Sequence, residues 1–393
     1  MTAPTFAPEQ LTDPGLYADG DQYELWRWMR EHSPVHHHDA TDFPPFWSLT
    51  RYTDVRAVYR DPGTYSSAAG VLLRPTAGGG DPGGGLTLAL TDPPRHDMLR
   101  GLVAGWFSER SARSLVPAVR TAVRSAVDAA LRSGGCEVVH DIAGRLSISV
   151  VCSLMGVPER DHEDVFRWTD EAYAAHTSLA AHRELMQYFG ELMYSRMESP
   201  ADDIVSALAN GLVDGELLTE REILLNLENL VGATENGRLA IAGGVHALLQ
   251  HPDQLHRLRA DRWLLPAAVE EVLRWTSSAT HSMRTATCPT TVGGQTIATG
   301  DRVVVWVPAA NRDPAVFLDP EEFDIGRTPN RHLALGAGKH FCLGSTVARI
   351  QLRLLLGELL DRVGEWTIDR PVAAVRSIAV SGPESLHVRM GAR

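Results

Sequence analysis

Cysteine is scarce in this sequence, and long apolar runs are missing. The 393 residues include four scattered cysteines without a CxxC pair, which argues against a disulfide scaffold and fits a reducing compartment. No apolar stretch approaches the roughly 20 residues of a membrane-spanning helix, and the N-terminus lacks the basic and apolar regions of a signal peptide. We therefore expect a soluble, cytoplasmic protein that has no membrane partner.

Long basic runs are also missing. The formal net charge is −12 at pH 7, and a chain without clustered Lys and Arg is a poor match for nucleic acid. Hydrophobic residues make up 44% of the chain, which is enough for a sizeable core. Because no linker interrupts the pattern, we expect residues 1–393 to form a single domain and the protein to be a monomer.

Helical periodicity dominates the chain and predicts a mainly α fold with small antiparallel β-sheets. Apolar residues recur every four positions from Val119 to Leu131, between a proline and a glycine pair, which is typical of a helix with defined ends. Thr219 and Glu222 form a capping box that begins the longest expected helix, which continues to Gln250. Other helices are expected at 21–32, 142–155, 160–175 and 180–197, strands at 35–38, 46–50 and 302–307, and a glycine-rich loop at 66–90.

One cysteine lies in a glycine-rich turn directly before an apolar segment with helical periodicity. Residues 336–344 read GAGKHFCLG, and the glycines let the backbone around Cys342 turn tightly. A thiolate held at a helix N-terminus can serve as an axial iron ligand, a nucleophile or a redox centre. A buried cysteine in a chance glycine-rich turn is the alternative.

The middle of the longest expected helix combines small and polar residues. Gly232 and Ala233 precede Glu235 and Asn236, and glycine inside a helix costs about 0.8–1 kcal/mol relative to alanine. Such a cost makes sense where a flat group lies against the backbone. An acid and an amide at this point need partners if they are buried; otherwise they form a solvated patch on an exposed face.

Four basic residues can serve a negatively charged ligand. His96 and Arg100 are four positions apart and therefore share one face of a helix. Arg284 and His340 follow later in the chain. Each of them alone is more often an ordinary surface charge, so their order and spacing as a set carry the argument.

In order and spacing, the motifs between residues 91 and 344 resemble those of the cytochromes P450, the haem-thiolate monooxygenases. The resemblance implies the P450 fold, a triangular prism with a long central helix over the haem, and haem b (iron protoporphyrin IX) as cofactor. Leu335 departs from the family pattern, which has phenylalanine there. The resemblance implies that Cys342 is the axial iron ligand and that Gly232 and Ala233 lie against the haem. The implied propionate ligands are His96, Arg100, Arg284 and His340, with His332 as a weaker candidate.

The resemblance also assigns roles to an ion pair and to two distal residues. Glu271 and Arg274, joined by Arg327, are implied to lock the haem loop to the core. Glu235 and Asn236 are the candidate catalytic residues, because Glu235 matches the acid that manages proton delivery and Asn236 replaces the family's threonine. An amide can donate a hydrogen bond or hold a water, but it cannot relay a proton as a hydroxyl does.

The implied reaction is oxidation, by hydroxylation, of a small organic substrate with O2 and two electrons from a ferredoxin and a ferredoxin reductase. Lys339, Arg349 and Arg353 are expected on the side where an acidic donor docks. The polar segment 276–282 suggests an oxygenated substrate. We expect a polyketide, aromatic or peptide-derived secondary metabolite, as in antibiotic biosynthesis, either free or bound to an acyl or peptidyl carrier protein.

Three other interpretations stay open. Asn236 is compatible with an oxidase or peroxygenase of the same fold that couples or desaturates without inserting oxygen. A non-catalytic haem-thiolate protein that senses or recruits is the second. A haem-free protein that carries these patterns by chance is the third.

Overall fold

A computed structural model describes residues 7–173 and 178–393 of the chain. The helices are α1 (Pro14–Ala18), α2 (Gln22–His32), α3 (Tyr52–Arg60), α4 (Arg95–Val103), α5 (Glu109–Ser114), α6 (Val116–Ser133), α7 (Arg145–Leu154), α8 (His162–Tyr173), α9 (Leu179–Glu198), α10 (Ile204–Asn210), α11 (Glu220–Gly232), α12 (Thr234–Gln250), α13 (Pro252–Ala260), α14 (Leu265–Thr276), α15 (Val307–Ala310) and α16 (Ser345–Arg362). No helix within the described ranges is long and apolar enough to cross a membrane.

The strands are short and form small sheets. They are β1 (Val35–His38), β2 (Phe46–Leu49), β3 (Tyr65–Ser66), β4 (Gly135–Glu137), β5 (Leu212–Val213), β6 (Glu216–Leu217), β7 (His281–Ala286), β8 (Thr290–Val292), β9 (Gln295–Ile297), β10 (Arg302–Trp306), β11 (Val363–Ile368) and β12 (His387–Ala392). The largest sheet has the order β1-β2-β10-β7-β3, and the next has the order β11-β12-β4. The predicted fold class is confirmed, although the β2–β10 pair is parallel while its neighbours are antiparallel.

Helix α6 illustrates how the sequence pattern produces the packing. Val119, Val123 and Val127 are buried along one face, as the four-residue spacing predicts. The helix ends at Gly134, whose φ of 72° is left-handed and therefore suits glycine. Most of the apolar core lies between the helices, in a cluster that includes residues of α6, α7, α12, α14 and α16.

The expected unbroken helix from Thr219 to Gln250 is wrong in one detail. The capping box forms, with Thr219 Oγ1 accepting from the Glu222 amide at 3.3 Å and Glu222 Oε2 accepting from the Thr219 amide at 2.8 Å. The helical ladder is then interrupted at Ala233, which separates α11 from α12. Thr234 Oγ1 donates to the Val231 carbonyl at 2.6 Å, and a side chain that takes a backbone carbonyl in this way bends a helix.

Two other expected helices also differ from the structure. The segment expected as one helix over 142–155 is a π-helix, Val138–Gly144, followed by α7. Helix α8 begins at His162, because a 3₁₀ turn occupies Glu159–Asp161, and the last two positions of the 160–175 expectation lie outside the described residues. The glycine-rich segment 66–90 is a loop with two short 3₁₀ turns. It is tied to α11 because Asn226 Oδ1 accepts from the Leu88 amide at 2.8 Å.

Candidate cofactor-binding and active site

The loop before α16 holds the Cys342 thiol at a helix N-terminus. The Cys342 amide donates to the Leu335 carbonyl at 2.8 Å, which closes the loop. Gly338 has a φ of 72°, and a Cβ there would lie 2.3 Å from the Tyr59 carbonyl oxygen, so only glycine fits. Burial raises the pKa of the Cys342 thiol, and the Gly344 amide, which hydrogen-bonds to the sulfur, counteracts this. Such a thiol suits a metal, because coordination removes its proton.

Four basic side chains converge beside this loop. The rings of His96 and His340 lie 4.2 Å apart between centroids, and Arg100 donates to the Phe341 carbonyl at 2.9 Å. The pKa of His340 is lowered to about 3. Burial is the largest cause, and the nearby Arg284, His96 and Arg100 side chains contribute the rest of the lowering. The structure therefore brings together the four basic residues that the sequence singled out as a set.

The cluster has little negative charge of its own: Asp97 Oδ1 lies 3.3 Å from His96 Nδ1, and the same carboxylate is paired with Lys339. His96 Nε2 is buried without a hydrogen-bond partner in the described part of the chain. Arg284 is 5% exposed and donates to the Met283 carbonyl at 2.7 Å. Neither Arg284 nor Arg100 forms an ion pair with a carboxylate among the described residues. A ligand with two carboxylates beside a metal fits this donor set, as haem with its propionates does.

The break between α11 and α12 presents small residues on a partly open face of the helix pair. Val231 is fully buried, whereas Gly232 is half-buried, Ala233 is exposed and positions 234–238 are half-buried. Asn236 Oδ1 is buried and has no partner among the described residues. A flat group against 232–233 and a polar molecule at the Asn236 amide fit these features.

Glu235 lies in an ion-pair chain that the sequence reading missed. Arg238 donates to Glu235 Oε1 at 2.8 Å and also pairs with Asp170 on α8. The i, i+3 spacing of Glu235 and Arg238 was visible in the sequence and could have indicated the first pair. Asp170 could not be found that way, because it is 68 positions away. The chain links the acid of α12 to α8.

The Glu271–Arg274 pair forms as expected, in a fully buried position. Arg274 donates through two nitrogens to the two carboxylate oxygens of Glu271, each at 2.8 Å. Arg327 Nε adds a bond to the same carboxylate at 3.1 Å, and Asn330 Nδ2 adds another at 3.0 Å. The pair therefore ties α14 to the segment that leads into the cysteine loop, which is an architectural function.

The expected donor-docking cations are already partly neutralised. Lys339 pairs with Asp97 at 2.7 Å, and Arg349 pairs with Glu270 at 2.6 Å. His332, the weaker propionate candidate, also pairs with Glu270, at 3.2 Å. His332 is therefore held in this ion-pair network with its side chain buried, and the docking side carries less free positive charge than the sequence suggested.

Glu270 makes stability dependent on pH in acid. Burial raises its pKa, but hydrogen bonds from Arg349 and His332 outweigh burial and lower the pKa to about 2. A depressed carboxyl pKa stabilises the fold above the unfolded value of about 4.3, and this contribution is lost as the pH falls toward 2. We expect the difference in urea midpoint between the parent and Glu270→Gln to be constant near pH 6 and to shrink below about pH 4.5. A difference that stays constant down to pH 3 would contradict this.

Comparison with known proteins identifies relatives over almost the whole chain. The family model of cytochrome P450 matches residues 165–364. A putative cytochrome P450 126 of Mycobacterium tuberculosis is 37% identical over 412 residues, covering 99% of each chain. The steroid C26-monooxygenase of Mycolicibacterium smegmatis is 34% identical, covering 95% of this chain and 94% of the relative.

A solved structure gives the same result. P450 OxyD, which is involved in the biosynthesis of vancomycin-type antibiotics, matches with a TM-score of 0.90 and 35% identity. The match covers 98% of this chain and 99% of that one. The chain therefore belongs to the cytochrome P450 family of haem-dependent monooxygenases.

Proposed function

We propose that residues 1–393 act as one haem-thiolate domain that oxidises a small, oxygenated organic substrate, with haem b as cofactor. The main support is the position of the Cys342 thiol beside four basic side chains. One of their nitrogens, His96 Nε2, is buried and has no partner among the described residues. Haem activates O2 with two electrons supplied from outside.

The cofactor is held from two sides. Cys342 would supply the thiolate ligand, and the Gly344 amide would temper the charge on the sulfur. His96, Arg100, Arg284 and His340 would bind the two propionates, which accounts for the clustering of these basic side chains. Gly232 and Ala233 would lie against the ring, since larger side chains there would occupy its space.

Glu235 and Asn236, in the first turn of α12, would manage protons and water near the reacting atoms. Arg238 holds the Glu235 carboxylate at 2.8 Å, so Glu235 must loosen from Arg238 before it can turn toward the reacting atoms. The unpaired Oδ1 of Asn236 accepts a hydrogen bond from a water or from the substrate itself. Protons then travel through that water rather than through a side-chain hydroxyl.

The substrate is a polyketide, aromatic or peptide-derived secondary metabolite. In the segment 276–282, Thr276 and Ser277 donate their hydroxyls to backbone carbonyls of α14. The Thr280 hydroxyl is buried and has no partner among the described residues, so it is the group in this segment that is available to an oxygen function. The participation of OxyD in antibiotic biosynthesis supports this class of substrate.

Electrons come from a ferredoxin and its reductase. Arg353 and the face around Phe341, which is 38% exposed, offer a docking surface near the cysteine loop. Since Lys339 and Arg349 are ion-paired, an acidic donor competes with Asp97 and Glu270 for them. Association is therefore expected to weaken with rising salt.

The test has two stages: a screen for compounds that bind, and turnover of a binding compound under labelled oxygen. Candidate metabolites, each as free acid and as pantetheine thioester, are screened for a change in haem spin state. Turnover of a binding compound under ¹⁸O₂ is expected to place the label in the product. A product that has lost two hydrogens without gaining label would instead favour the oxidase, and a bound ligand that is never oxidised would favour a sensor.

Asn236 gives a sharper prediction within the same assay. Asn236→Thr supplies a hydroxyl that can relay protons, so we expect it to raise the yield of oxygenated product per electron pair several-fold. Asn236→Ala removes the amide and is expected to lower that yield. Equal yields for the parent and Asn236→Ala would show that the amide has no part in proton delivery.

A further inference from the structure

The loop 66–90 begins and ends at the basic cluster of the candidate site. At its start, Ser67 Oγ lies 3.3 Å from His340 Nε2. At its end, the chain enters α4, which carries two of the four basic side chains. Shortly before that, the Leu88 amide is tied to α11 by Asn226. The loop therefore leaves the basic cluster, runs past α11 and returns, so it forms one wall of the space beside these residues.

The first part of this loop continues the sheet beside β7. Strand β3 pairs with β7 over only two residues, and the loop regains β7 at Val71, whose carbonyl accepts from the Met283 amide at 2.7 Å. Two residues later, the Leu73 amide donates to His281 Nε2 at 2.9 Å, so a side chain takes the place of a backbone partner. Leu73 is the last buried residue before the exposed run 74–80. This bond therefore fixes the point at which the loop leaves the sheet.

His281 also joins the loop to a third segment, because both nitrogens of its ring are used. Its Nδ1 donates to the Ile378 carbonyl at 2.9 Å. Since Nε2 accepts from an N–H, Nε2 carries no proton and the proton lies on Nδ1. The side chain is 1% exposed, and burial lowers the pKa of His281 to about 4, so the ring is uncharged at neutral pH. The ring of fully buried Trp306 lies 5.3 Å away between centroids, which leaves His281 little freedom to turn.

We propose that His281 is a positioning residue that holds the loop 66–90 against β7 and thereby determines which ligands the site accepts. One ring fastens the loop at Leu73 and the segment at Ile378 to the strand that carries it. A wall held at this point keeps a defined distance to a ligand, whereas a released wall adapts to more shapes and contacts each of them less well. The inference rests on the proposed function, since it takes the space beside the loop to be the substrate site.

Substitutions at position 281 separate the two hydrogen bonds. The glutamine carbonyl oxygen lies as many bonds from the backbone as His281 Nε2, so His281→Gln can still accept from the Leu73 amide. The asparagine amide nitrogen matches Nδ1 in the same way, so His281→Asn can still donate to the Ile378 carbonyl but cannot reach Leu73. His281→Phe keeps a ring and loses both bonds.

Amide hydrogen exchange of the full-length, haem-loaded protein measures how firmly the loop is held. We expect the Leu73 amide to exchange about tenfold faster in His281→Phe and His281→Asn than in the parent, and at nearly the parent rate in His281→Gln. Equal exchange in the parent and His281→Phe would refute the attachment. So would exchange in His281→Gln that is as fast as in His281→Phe.

His38→Phe is the matched control. His38 is also buried, and its Nε2 bonds to Ser48 Oγ in the same sheet at 2.8 Å. The variant thus removes a buried histidine hydrogen bond from this sheet and leaves the Leu73 bond in place. The Leu73 amide should then exchange within about twofold of the parent rate. Acceleration as large as in His281→Phe would mean general loosening of the sheet and would overturn the proposal.

Ligand selection is measured with imidazole and phenylimidazole, two azoles that bind haem iron and shift the Soret band. Phenylimidazole extends into the space beside the loop, whereas imidazole contacts little beyond the iron. We expect His281→Phe to weaken phenylimidazole binding about fivefold and to leave imidazole binding unchanged, because only the larger azole needs the wall in place. His281→Gln should retain both affinities.

Failure of this role differs from failure of the proposed function. An unchanged phenylimidazole affinity in His281→Phe, or an equal loss for both azoles, would overturn the role of His281 in ligand selection. A parent protein that binds neither azole would count against the haem site itself. The exchange measurement would still decide in that case whether His281 holds the loop.

Discussion

Replacing Cys342 with serine is expected to abolish both substrate oxidation and the strongly red-shifted Soret band that reduced haem-thiolate proteins show with carbon monoxide. A thiolate pushes electron density onto iron and favours O–O cleavage, whereas a serine hydroxyl stays protonated at neutral pH. We expect turnover to fall at least about a thousandfold, or about 4 kcal/mol in transition-state stabilisation. The loop should keep its shape, because it is closed by the Cys342 backbone amide rather than by the side chain.

The other cysteines supply the controls. Cys136 is half-buried and Cys288 is exposed, so Cys136→Ala and Cys288→Ala should retain the band and the activity. A Cys342→Ser protein that keeps the red-shifted band would mean that another thiol binds the iron, and the site would have to be assigned again. Absence of the band in the parent would remove every haem-thiolate interpretation.

The parts of the site that local spacing determines could be predicted from the sequence. The turn around Cys342 depends on glycines within a few residues, and His96 and Arg100 share a helix face through their i, i+4 spacing. Their convergence with Arg284 and His340 came from the resemblance to a known family. Spacing alone could not have supplied it, since a contact between residues 96 and 340 depends on the whole fold.

The parts that were missed involve competition between local and distant contacts. The break at Ala233 arises because the Thr234 hydroxyl takes the Val231 carbonyl, although the apolar periodicity continues through it. The π-helix likewise keeps a helical pattern of buried residues while changing the hydrogen bonds. The Arg238–Asp170 pair joins two helices far apart in sequence. In each case the hydrophobic pattern predicts a helix but does not specify which polar partner its side chains find.

Removing Arg274 is expected to cost more stability than any exposed charge in this chain. Glu271 and Arg274 are both fully buried, and Arg274 also donates to the carbonyls of Asn311 and Pro320, each at 2.9 Å. Arg274→Met would leave the Glu271 carboxylate in the core with fewer partners and those carbonyls without a donor. Breaking a buried pair in this way costs about 3–5 kcal/mol, a large part of the 5–15 kcal/mol that typically holds a protein folded.

Glu271→Gln also breaks the pair, because one acceptor oxygen becomes an NH2 group that faces the Arg274 and Asn330 donors and the buried guanidinium loses its counter-charge. We therefore expect a cost in the same range of about 3–5 kcal/mol. Both variants should also lose haem more readily than the parent, since Asn330 and Arg327, which lead into the cysteine loop, bond to the same carboxylate. Urea unfolding followed in parallel by far-UV circular dichroism and by the Soret band measures both effects.

The exposed pair of Glu109 and Arg113 on α5 is the matched control. It is also an ion pair within one helix, but its two side chains are 72% and 73% exposed. Arg113→Met should change the free energy of unfolding by no more than about 0.5 kcal/mol, since solvent screens such pairs. If Arg274→Met and Arg113→Met were equally mild, burial would not determine the value of the pair, and the Glu271 network could not be what fastens the cysteine loop to the core.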